Sequence, residues 1–171
     1  MTTSPGEMTT DPTDRRARWL GLLAFLAIAL AAGGIGSLLQ GTDVGGRYLA
    51  FERPAWAPPS WTFGVVWPIL YVLIGVAGWR VWHAAGGIRA AGAALALWAV
   101  QLVVNAVWPG VFFGLEAFGP AVAVIAVLDV LVVLTIVAFW RIDRIAAWLL
   151  VPYLLWILYA TALNAALWQL N

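Results

Sequence analysis

The sequence predicts an all-α polytopic membrane protein, built as a bundle of five transmembrane helices. Of the 171 residues, 64% are hydrophobic and only 10% are charged, whereas a soluble domain carries about 25% charged residues. Five continuous apolar runs follow one another along the chain, and each is long enough to cross a hydrocarbon core of about 30 Å. Because polar and apolar residues do not alternate within these runs, helices are predicted rather than strands.

The five runs predict five spans with connections of unequal length. Residues 1–18 are polar and predict a disordered N-terminal tail, so the membrane domain covers 19–171. The first connection, Gly41–Thr62, is long and rich in aromatic residues and proline, unlike a plain linker. We predict that it packs as a lid over the bundle; the alternative is an ordinary interfacial loop. The predicted spans are Trp19–Gln40, Phe63–His83, Ala90–Phe113, Gly119–Trp140 and Ala146–Trp168.

The arginines predict the orientation of the bundle. Because cytoplasmic loops carry the excess of basic residues, the arginine-rich side is predicted to be cytoplasmic. The N-terminus is then inside and the C-terminus outside. The inner side receives Arg15, Arg16, Arg18, Arg80, Arg89, Arg141 and Arg144, whereas the outer side receives only Arg47 and Arg53.

Several classes of function find no support in the sequence. Cysteine is absent, which excludes disulfides, thiolate metal sites and cysteine catalysis. The single histidine, His83, lies at the inner end of the second span and is predicted to be a surface residue. No metal cluster, nucleophile–base pair or phosphate-binding loop is recognisable, so we predict no catalytic or metal-binding residue and no required cofactor. The net charge of +1 gives no reason to expect a nucleic-acid partner.

Polar and aromatic side chains from four spans meet at similar depth in the outer half of the membrane. With a helical rise of about 1.5 Å per residue, these residues lie roughly 6 to 18 Å below the outer ends of their spans. Polar groups in a bilayer normally face the bundle interior or a cavity. We therefore predict an aromatic pocket under the first loop. Its members are Phe63, Trp67 and Tyr71 on the second span, Asn105 on the third, Asp129 on the fourth, and Trp156, Ala160 and Asn164 on the fifth. On the third span, Trp98, Gln101 and Trp108 share the helical stripe of Asn105 and are predicted to face the same pocket.

Each of these residues also fits a structural role. Asn105 and Asn164 fit hydrogen bonds between helices, and Asp129 fits a bond to a neighbouring helix. Trp67 and Trp156 fit simple packing. Small residues spaced by four predict close helix contacts, either within one bundle or in a dimer. These are Ala29, Gly33 and Ser37 on the first span, and Gly92 and Ala96 on the third.

Three ordered stretches of the sequence resemble one known family over residues 19–171. The first is Arg53-Pro-Ala-Trp-Ala-Pro-Pro-Ser-Trp-Thr-Phe-Gly-Val-Val-Trp-Pro-Ile-Leu-Tyr71, from the loop into the second span. The second is Gln101-Leu-Val-Val-Asn-Ala-Val-Trp-Pro-Gly-Val-Phe-Phe113. The third is Leu150-Val-Pro-Tyr-Leu-Leu-Trp156, followed by Ala162-Leu-Asn164. Together they resemble the signatures of the tryptophan-rich sensory protein family, also called the TspO or translocator protein family.

The resemblance implies five helices, commonly a homodimer, and a cavity under the first loop that binds porphyrins or haem. It implies a sensor or carrier of tetrapyrroles; the alternatives are a porphyrin transporter and a light-dependent enzyme that degrades porphyrin with Trp67 and Trp156. Some members bind sterols, but no basic residue follows Tyr153 or Tyr159 as the sterol pattern requires. This departure argues against sterol recognition. The implied pocket residues are Trp67, Tyr71, Asn105, Trp156, Ala160 and Leu163, with Tyr48 and Phe63 near the lid.

Overall fold

The computed structural model describes residues 12–171, with side chains from Arg15 onward. Within this part of the chain there are six α-helices and no strand, and five of the helices are long and apolar enough to cross a membrane. The predicted five-helix membrane bundle is confirmed. The helices are α1 (Pro12–Leu39), α2 (Val44–Ala50), α3 (Trp61–Ala84), α4 (Gly92–Pro109), α5 (Phe118–Trp140) and α6 (Arg144–Leu170).

Two helix boundaries differ from the predicted ones by more than two residues, and one helix was not predicted. The first helix begins at Pro12 rather than at Trp19, so part of the predicted tail is helical. The rest of the predicted tail, 1–11, lies outside the described residues. The third span does not run as one α-helix to Phe113, because α4 ends at Pro109 and a π-helical turn, Gly110–Gly114, follows it. The long connection also contains α2, a short helix that was not predicted.

The five long helices follow a definite order around the bundle. Helix α1 contacts α3 and α4, α3 contacts α6, and α5 lies between α4 and α6. The order around the bundle is therefore α1, α3, α6, α5 and α4. Large apolar side chains that point away from this arrangement, such as Leu23, Val103, Val130 and Leu155, are about 60% exposed and are suited to face lipid.

One end of the bundle, which we call the loop end, carries α2 and the long connection. Asp43 begins α2 from a left-handed backbone conformation with φ of 62°, and its carboxylate accepts a hydrogen bond from the amide of Gly46. Arg47 on α2 donates to the carbonyl of Phe113 at 2.7 Å. Near the end of α6, Asn171 exchanges two hydrogen bonds of 3.0 Å with the backbone of Glu52. The long connection thus packs on the bundle, as predicted for a lid.

The opposite end, which we call the far end, holds an ion pair between α3 and the residue that caps α6. The Asp143 carboxylate caps α6 by accepting from the amides of Ile145 and Ala146, and its other oxygen lies 2.8 Å from the Arg80 guanidinium. The Trp79 indole donates to the carbonyl of Arg18 on α1. His83 is exposed, as predicted, and its ring stacks on that of Trp79.

Candidate ligand-binding site

A cavity of about 520 Å³ opens near the loop end between α1, α3 and α4. Helix α2 covers it toward the loop end. This volume lies in the range of roughly 300–1,000 Å³ that is usual for small-molecule sites. Its aromatic lining comes from Tyr48 on α2, from Phe63, Trp67 and Tyr71 on α3, and from Trp108 and Phe113 on α4 and the π-helical turn.

The α3 wall of the cavity is an aromatic surface built by helical periodicity. Residues at i and i+4 share a face of a helix, so Phe63, Trp67 and Tyr71 point the same way. Trp67 and Tyr71 stack with their ring centroids 5.6 Å apart and their planes 26° apart. Phe63 meets the Tyr48 ring edge-on at 5.2 Å, which links this wall to α2. Stacked rings of this kind offer a flat apolar surface to a planar ligand.

A chain of buried hydrogen bonds lies beneath this wall. The Tyr71 hydroxyl donates to Asn105 Oδ1 at 2.7 Å, and Asn105 Nδ2 donates to the Tyr153 hydroxyl at 3.0 Å. The Tyr153 hydroxyl in turn donates to Gln101 Oε1 at 2.9 Å, and Gln101 Nε2 donates to the carbonyl of Trp98. Because every donor in the chain has an acceptor, the network holds the Tyr71 ring at the bottom of the cavity.

The α4 wall is fixed in a similar way. The Trp108 indole donates to Asn164 Oδ1 at 3.1 Å, and the Asn164 amide donates to the carbonyl of Phe118 at 3.2 Å. Trp108 also stacks on Phe112 at 5.3 Å. Asn164 therefore makes the hydrogen bonds between helices that the sequence analysis gave as its structural alternative. These bonds also position Trp108, which lines the cavity.

The lid contributes a buried tyrosine. Tyr48 is 1% exposed, and its hydroxyl donates to the carbonyl of Pro58 at 2.8 Å. Burial raises the pKa of Tyr48, although the Arg53 guanidinium, 5.1 Å from the ring centroid, acts to lower it. Tyr48 therefore remains a neutral hydrogen-bond donor at physiological pH and ties α2 to the proline-rich part of the connection.

The structure places the predicted site residues in two groups. Five of them line the cavity, and Asn105 bonds to Tyr71 directly behind it. The five are Tyr48, Phe63, Trp67, Tyr71 and Trp108. The other group does not reach the cavity surface. Trp156 packs on Phe63 with centroids 5.9 Å apart, and its indole nitrogen is buried without a hydrogen-bond partner among the described residues. Ala160 and Leu163 are buried in the apolar cluster that contains Tyr48 and Trp108.

Asp129 does not join the cavity. It lies on α5 against α6, where its Oδ2 accepts a hydrogen bond of 2.9 Å from the Thr161 hydroxyl. Its Oδ1 is buried and has no hydrogen-bond partner among the described residues. Asp129 therefore makes the structural hydrogen bond to a neighbouring helix that the sequence analysis gave as the alternative to a role in the pocket.

Several lining residues were not predicted as part of the site. Trp108 is not among them, because the sequence placed it on the helical stripe of Asn105 that was predicted to face the pocket. The small residues gave no such signal, since their spacing indicated helix contact instead. The additional lining residues are Leu30, Gly33, Gly34, Gly36, Ser37 and Gln40 on and after α1, Val44 and Gly45 on α2, Ser60, Gly64 and Pro68 on and before α3, and Pro109 and Phe113 on α4 and the π-helical turn.

Comparison with known proteins gives a consistent family. The sequence model of the TspO/MBR family matches residues 24–169. Protein CrtK of Rhodobacter capsulatus is 37% identical, with 89% of this chain and 94% of the relative covered. The tryptophan-rich sensory protein of Cereibacter sphaeroides is 39% identical, with 90% and 92% covered. The translocator protein of Sus scrofa is 32% identical, with 90% and 91% covered. The chain is therefore an integral multi-pass membrane protein, and it belongs to the TspO/MBR family.

Proposed function

We propose that this protein is a membrane-embedded sensor that binds porphyrin-type tetrapyrroles, including haem, in the cavity under α2. The observation that carries the proposal is the aromatic lining of that cavity, which combines the stacked pair Trp67 and Tyr71 with Trp108 on the facing helix. A porphyrin is a large flat π-system, so stacking on indole and phenol rings supplies both contact area and orientation.

The proposed residues contribute in different ways. Trp67, Tyr71, Phe63 and Tyr48 contact the ligand directly, whereas Asn105 acts by holding Tyr71. The Arg53 guanidinium lies 5.1 Å from the ring centroid of the lining residue Tyr48, at the loop end of the cavity, where it suits a carboxylate of a porphyrin.

Three further residues support this wall from behind. Ala160 and Leu163 belong to the buried apolar cluster that also contains Tyr48. Trp156 packs on Phe63 with ring centroids 5.9 Å apart, which supports the Phe63 ring from the side away from the cavity.

The structure favours binding over transport as the proposed activity. A transporter alternates between states that open on either side of the membrane. Below Tyr71, the bundle is filled by buried side chains and by the hydrogen-bonded chain through Asn105 and Tyr153. A porphyrin would have to break this chain in order to pass toward the far end.

A titration of the purified protein with protoporphyrin IX tests the proposal. We expect saturable binding, and we expect Trp67→Phe to weaken it about threefold to tenfold because a smaller ring loses stacking area. Trp156→Phe should weaken it less, since Trp156 lies behind the lining. Trp19→Phe is the matched control, because Trp19 is 60% exposed near the start of α1. No saturable binding, or equal affinities for all of these proteins, would contradict the proposal.

Vesicle experiments separate the alternative activities. Accumulation of protoporphyrin IX in the lumen of protein-containing vesicles in the dark would indicate transport. Loss of porphyrin absorbance only under light, and less of it in Trp67→Phe, would indicate photochemical degradation. Saturable binding with neither accumulation in the lumen nor light-dependent loss of porphyrin is the result expected for a sensor.

We also propose that the N-terminus faces the cytoplasm. The support is the unequal distribution of arginine between the two ends of the bundle. Arg80, Arg89, Arg141 and Arg144 lie at the far end, with Arg15, Arg16 and Arg18 at the start of α1, whereas the loop end carries Arg47 and Arg53.

A further inference from the structure

We propose that the cavity has a lateral opening between α1 and α3, and that the ligand reaches it from the lipid phase rather than from water. This inference rests on the proposed function for the identity of the ligand, but the geometry of the opening stands independently. It specifies the ligand as a molecule dissolved in the membrane.

Helices α1 and α3 are tightly closed in the half of the bundle nearer the far end. A β-carbon built on Gly75 of α3 would lie only 3.0 Å from the Cα atom of Leu26 on α1. One built on Gly78 would lie 2.9 Å from the Phe25 ring, so glycine is needed where the two helices approach each other. Nothing of ligand size passes between the helices at this depth.

The contact between Gly33 and Tyr71 forms the floor of the cavity. A β-carbon at Gly33 would collide with the Tyr71 ring, which means that this ring packs directly against the α1 backbone. Beyond this point α1 leans toward α4. A β-carbon on Gly36 would lie 3.4 Å from the carbonyl oxygen of Ala106, and Leu39 packs on the glycines of the π-helical turn. Helix α1 therefore diverges from α3 toward the loop end.

The divergence leaves an open gap. A β-carbon built on Gly34 of α1 or on Gly64 of α3 meets nothing within 4 Å in the described chain outside its immediate backbone. Both glycines line the cavity and both are exposed, as are the lining residues Leu30 and Pro68. Exposed lining residues mark where a cavity opens. One opening therefore lies sideways between these two membrane-spanning helices, and Gly45 on α2 marks another at the lid.

The surroundings of the gap are suited to lipid rather than to water. Ile35 on α1 is 52% exposed, and Val65 and Ile69 on α3 are 51% and 55% exposed. These side chains lie in helices that cross the membrane, on either side of the lining residues. A flat apolar ligand that partitions into the bilayer would meet this opening by diffusion in the membrane plane, and its approach would require no desolvation from water.

The gap also presents a backbone acceptor. Pro68 has no N–H group, so the carbonyl of Gly64 receives no helical hydrogen bond from it. A carbonyl at the rim that lacks this bond suits a transient hydrogen bond to a pyrrole N–H or to water at the membrane interface.

Association kinetics of protoporphyrin IX in nanodiscs test the route. Gly34→Trp and Gly64→Trp place a large ring in the open gap, and we expect each to slow association about tenfold. Dissociation should also slow, because the ligand leaves through the same obstructed opening, and the two rate constants rather than Kd are therefore compared. Binding is followed by porphyrin absorbance, since the variants add a tryptophan.

Ala123→Trp is the matched control for these variants. Ala123 is exposed on α5 and does not line the cavity. It lies about as far from the loop end of its helix as Gly34 does, since α5 begins at Phe118 and α1 ends at Leu39. The proposed route would be overturned if Gly34→Trp and Gly64→Trp associate with porphyrin as fast as Ala123→Trp does. Slowing by Gly45→Trp instead would indicate access through the lid.

A second measurement needs no porphyrin. Because the chain has no cysteine, a spin label can be attached singly to Gly34→Cys or to Gly45→Cys. We expect the label at residue 34 to collide more with lipid-soluble oxygen than with a water-soluble nickel chelate, and the label at residue 45 to show the reverse. A label at residue 34 that prefers the chelate would overturn the lateral opening. Failure of the wild type to bind porphyrin would contradict only the proposed function.

Discussion

Replacement of Asn105 by leucine tests whether the buried hydrogen-bonded chain holds the floor of the cavity. Asn105 accepts a bond of 2.7 Å from Tyr71 and donates one of 3.0 Å to Tyr153, so it joins α3 to α6 through α4. Leucine has a similar size but offers neither group. Asn105→Leu therefore removes two bonds and leaves the Tyr71 hydroxyl without the acceptor that it uses.

The expected cost follows from the number of groups left unpaired. A side-chain hydrogen bond between membrane helices contributes about 0.6 kcal/mol on average and about 1.7 kcal/mol at most. A buried hydroxyl that loses its partner costs about 1–3 kcal/mol in soluble proteins. Two lost bonds with one orphaned hydroxyl thus predict a destabilisation of about 2 kcal/mol for Asn105→Leu, and about 1 kcal/mol for Tyr71→Phe.

The sign of the free-energy change caused by Tyr71→Phe in the Asn105→Leu background is more diagnostic than the magnitude of either single effect. Tyr71→Phe should cost free energy in the wild type, because it leaves Asn105 Oδ1 unpaired. In the Asn105→Leu background the same change should be neutral or stabilising, because it removes the orphaned hydroxyl. The assay is reversible unfolding in mixed micelles with increasing dodecyl sulfate, followed by circular dichroism.

Thr135→Val provides the control for this experiment. The Thr135 hydroxyl is buried but bonds to Leu131 within its own helix, so its loss should cost less than the loss of an interhelical bond. The reasoning is refuted if Asn105→Leu destabilises by less than about 0.5 kcal/mol, or if Tyr71→Phe costs the same free energy in both backgrounds.

Three further predictions address charge, assembly and orientation. Arg53→Gln should weaken binding of protoporphyrin IX about tenfold at low salt but leave its dimethyl ester unaffected, because only the free carboxylates pair with the guanidinium; equal losses for both ligands in titrations would contradict this pairing. We also propose that two copies of the chain pair through α4, where Ala96 is exposed beside Gly92. Ala96→Trp should then give a monomer in size-exclusion chromatography with light scattering, whereas Ala123→Trp should leave a dimer, and a monomer from the unsubstituted chain would contradict the proposed pairing. Cysteines placed singly at Thr42 and Ala90 should react with a membrane-impermeant reagent from opposite sides, and labelling of Ala90 from outside would reverse the proposed orientation.

The sequence was sufficient to predict the five membrane-spanning helices and the depth of the site. Long apolar runs form helices in lipid, because a helix satisfies its own backbone hydrogen bonds. The helical rise places Tyr71 and Asn105 at the same depth, where the structure joins them by a hydrogen bond. The depth of a residue, however, does not say how its helix is rotated about its axis, and this rotation decides which neighbour the side chain faces. Asp129 lies near the middle of α5 but faces Thr161 on α6, so depth alone assigned it to a cavity that it does not reach.

The side of α3 on which the cavity opens was beyond prediction for a related reason. It depends on the order of the helices around the bundle, and apolar runs of similar length do not encode that order. Trp156 packs on Phe63, one helical turn from Trp67, but α6 lies on one side of α3 and α1 on the other. Trp67 therefore faces the cavity, whereas Trp156 packs behind Phe63.

The glycines of this protein serve two opposite purposes, and the contrast explains how a small bundle keeps a cavity open. Membrane helices gain little from the hydrophobic effect and associate through van der Waals packing, so an empty space between them costs contacts that lipid or a ligand must replace. Gly75 and Gly78 recover such contacts by bringing α1 and α3 together. Gly34 and Gly64 make no such contacts between α1 and α3. The two helices stay apart here because α1 is held against α4 and Tyr71 is held by Asn105. Close packing in one half of the bundle thus supports an opening in the other half, where a ligand can supply the missing contacts.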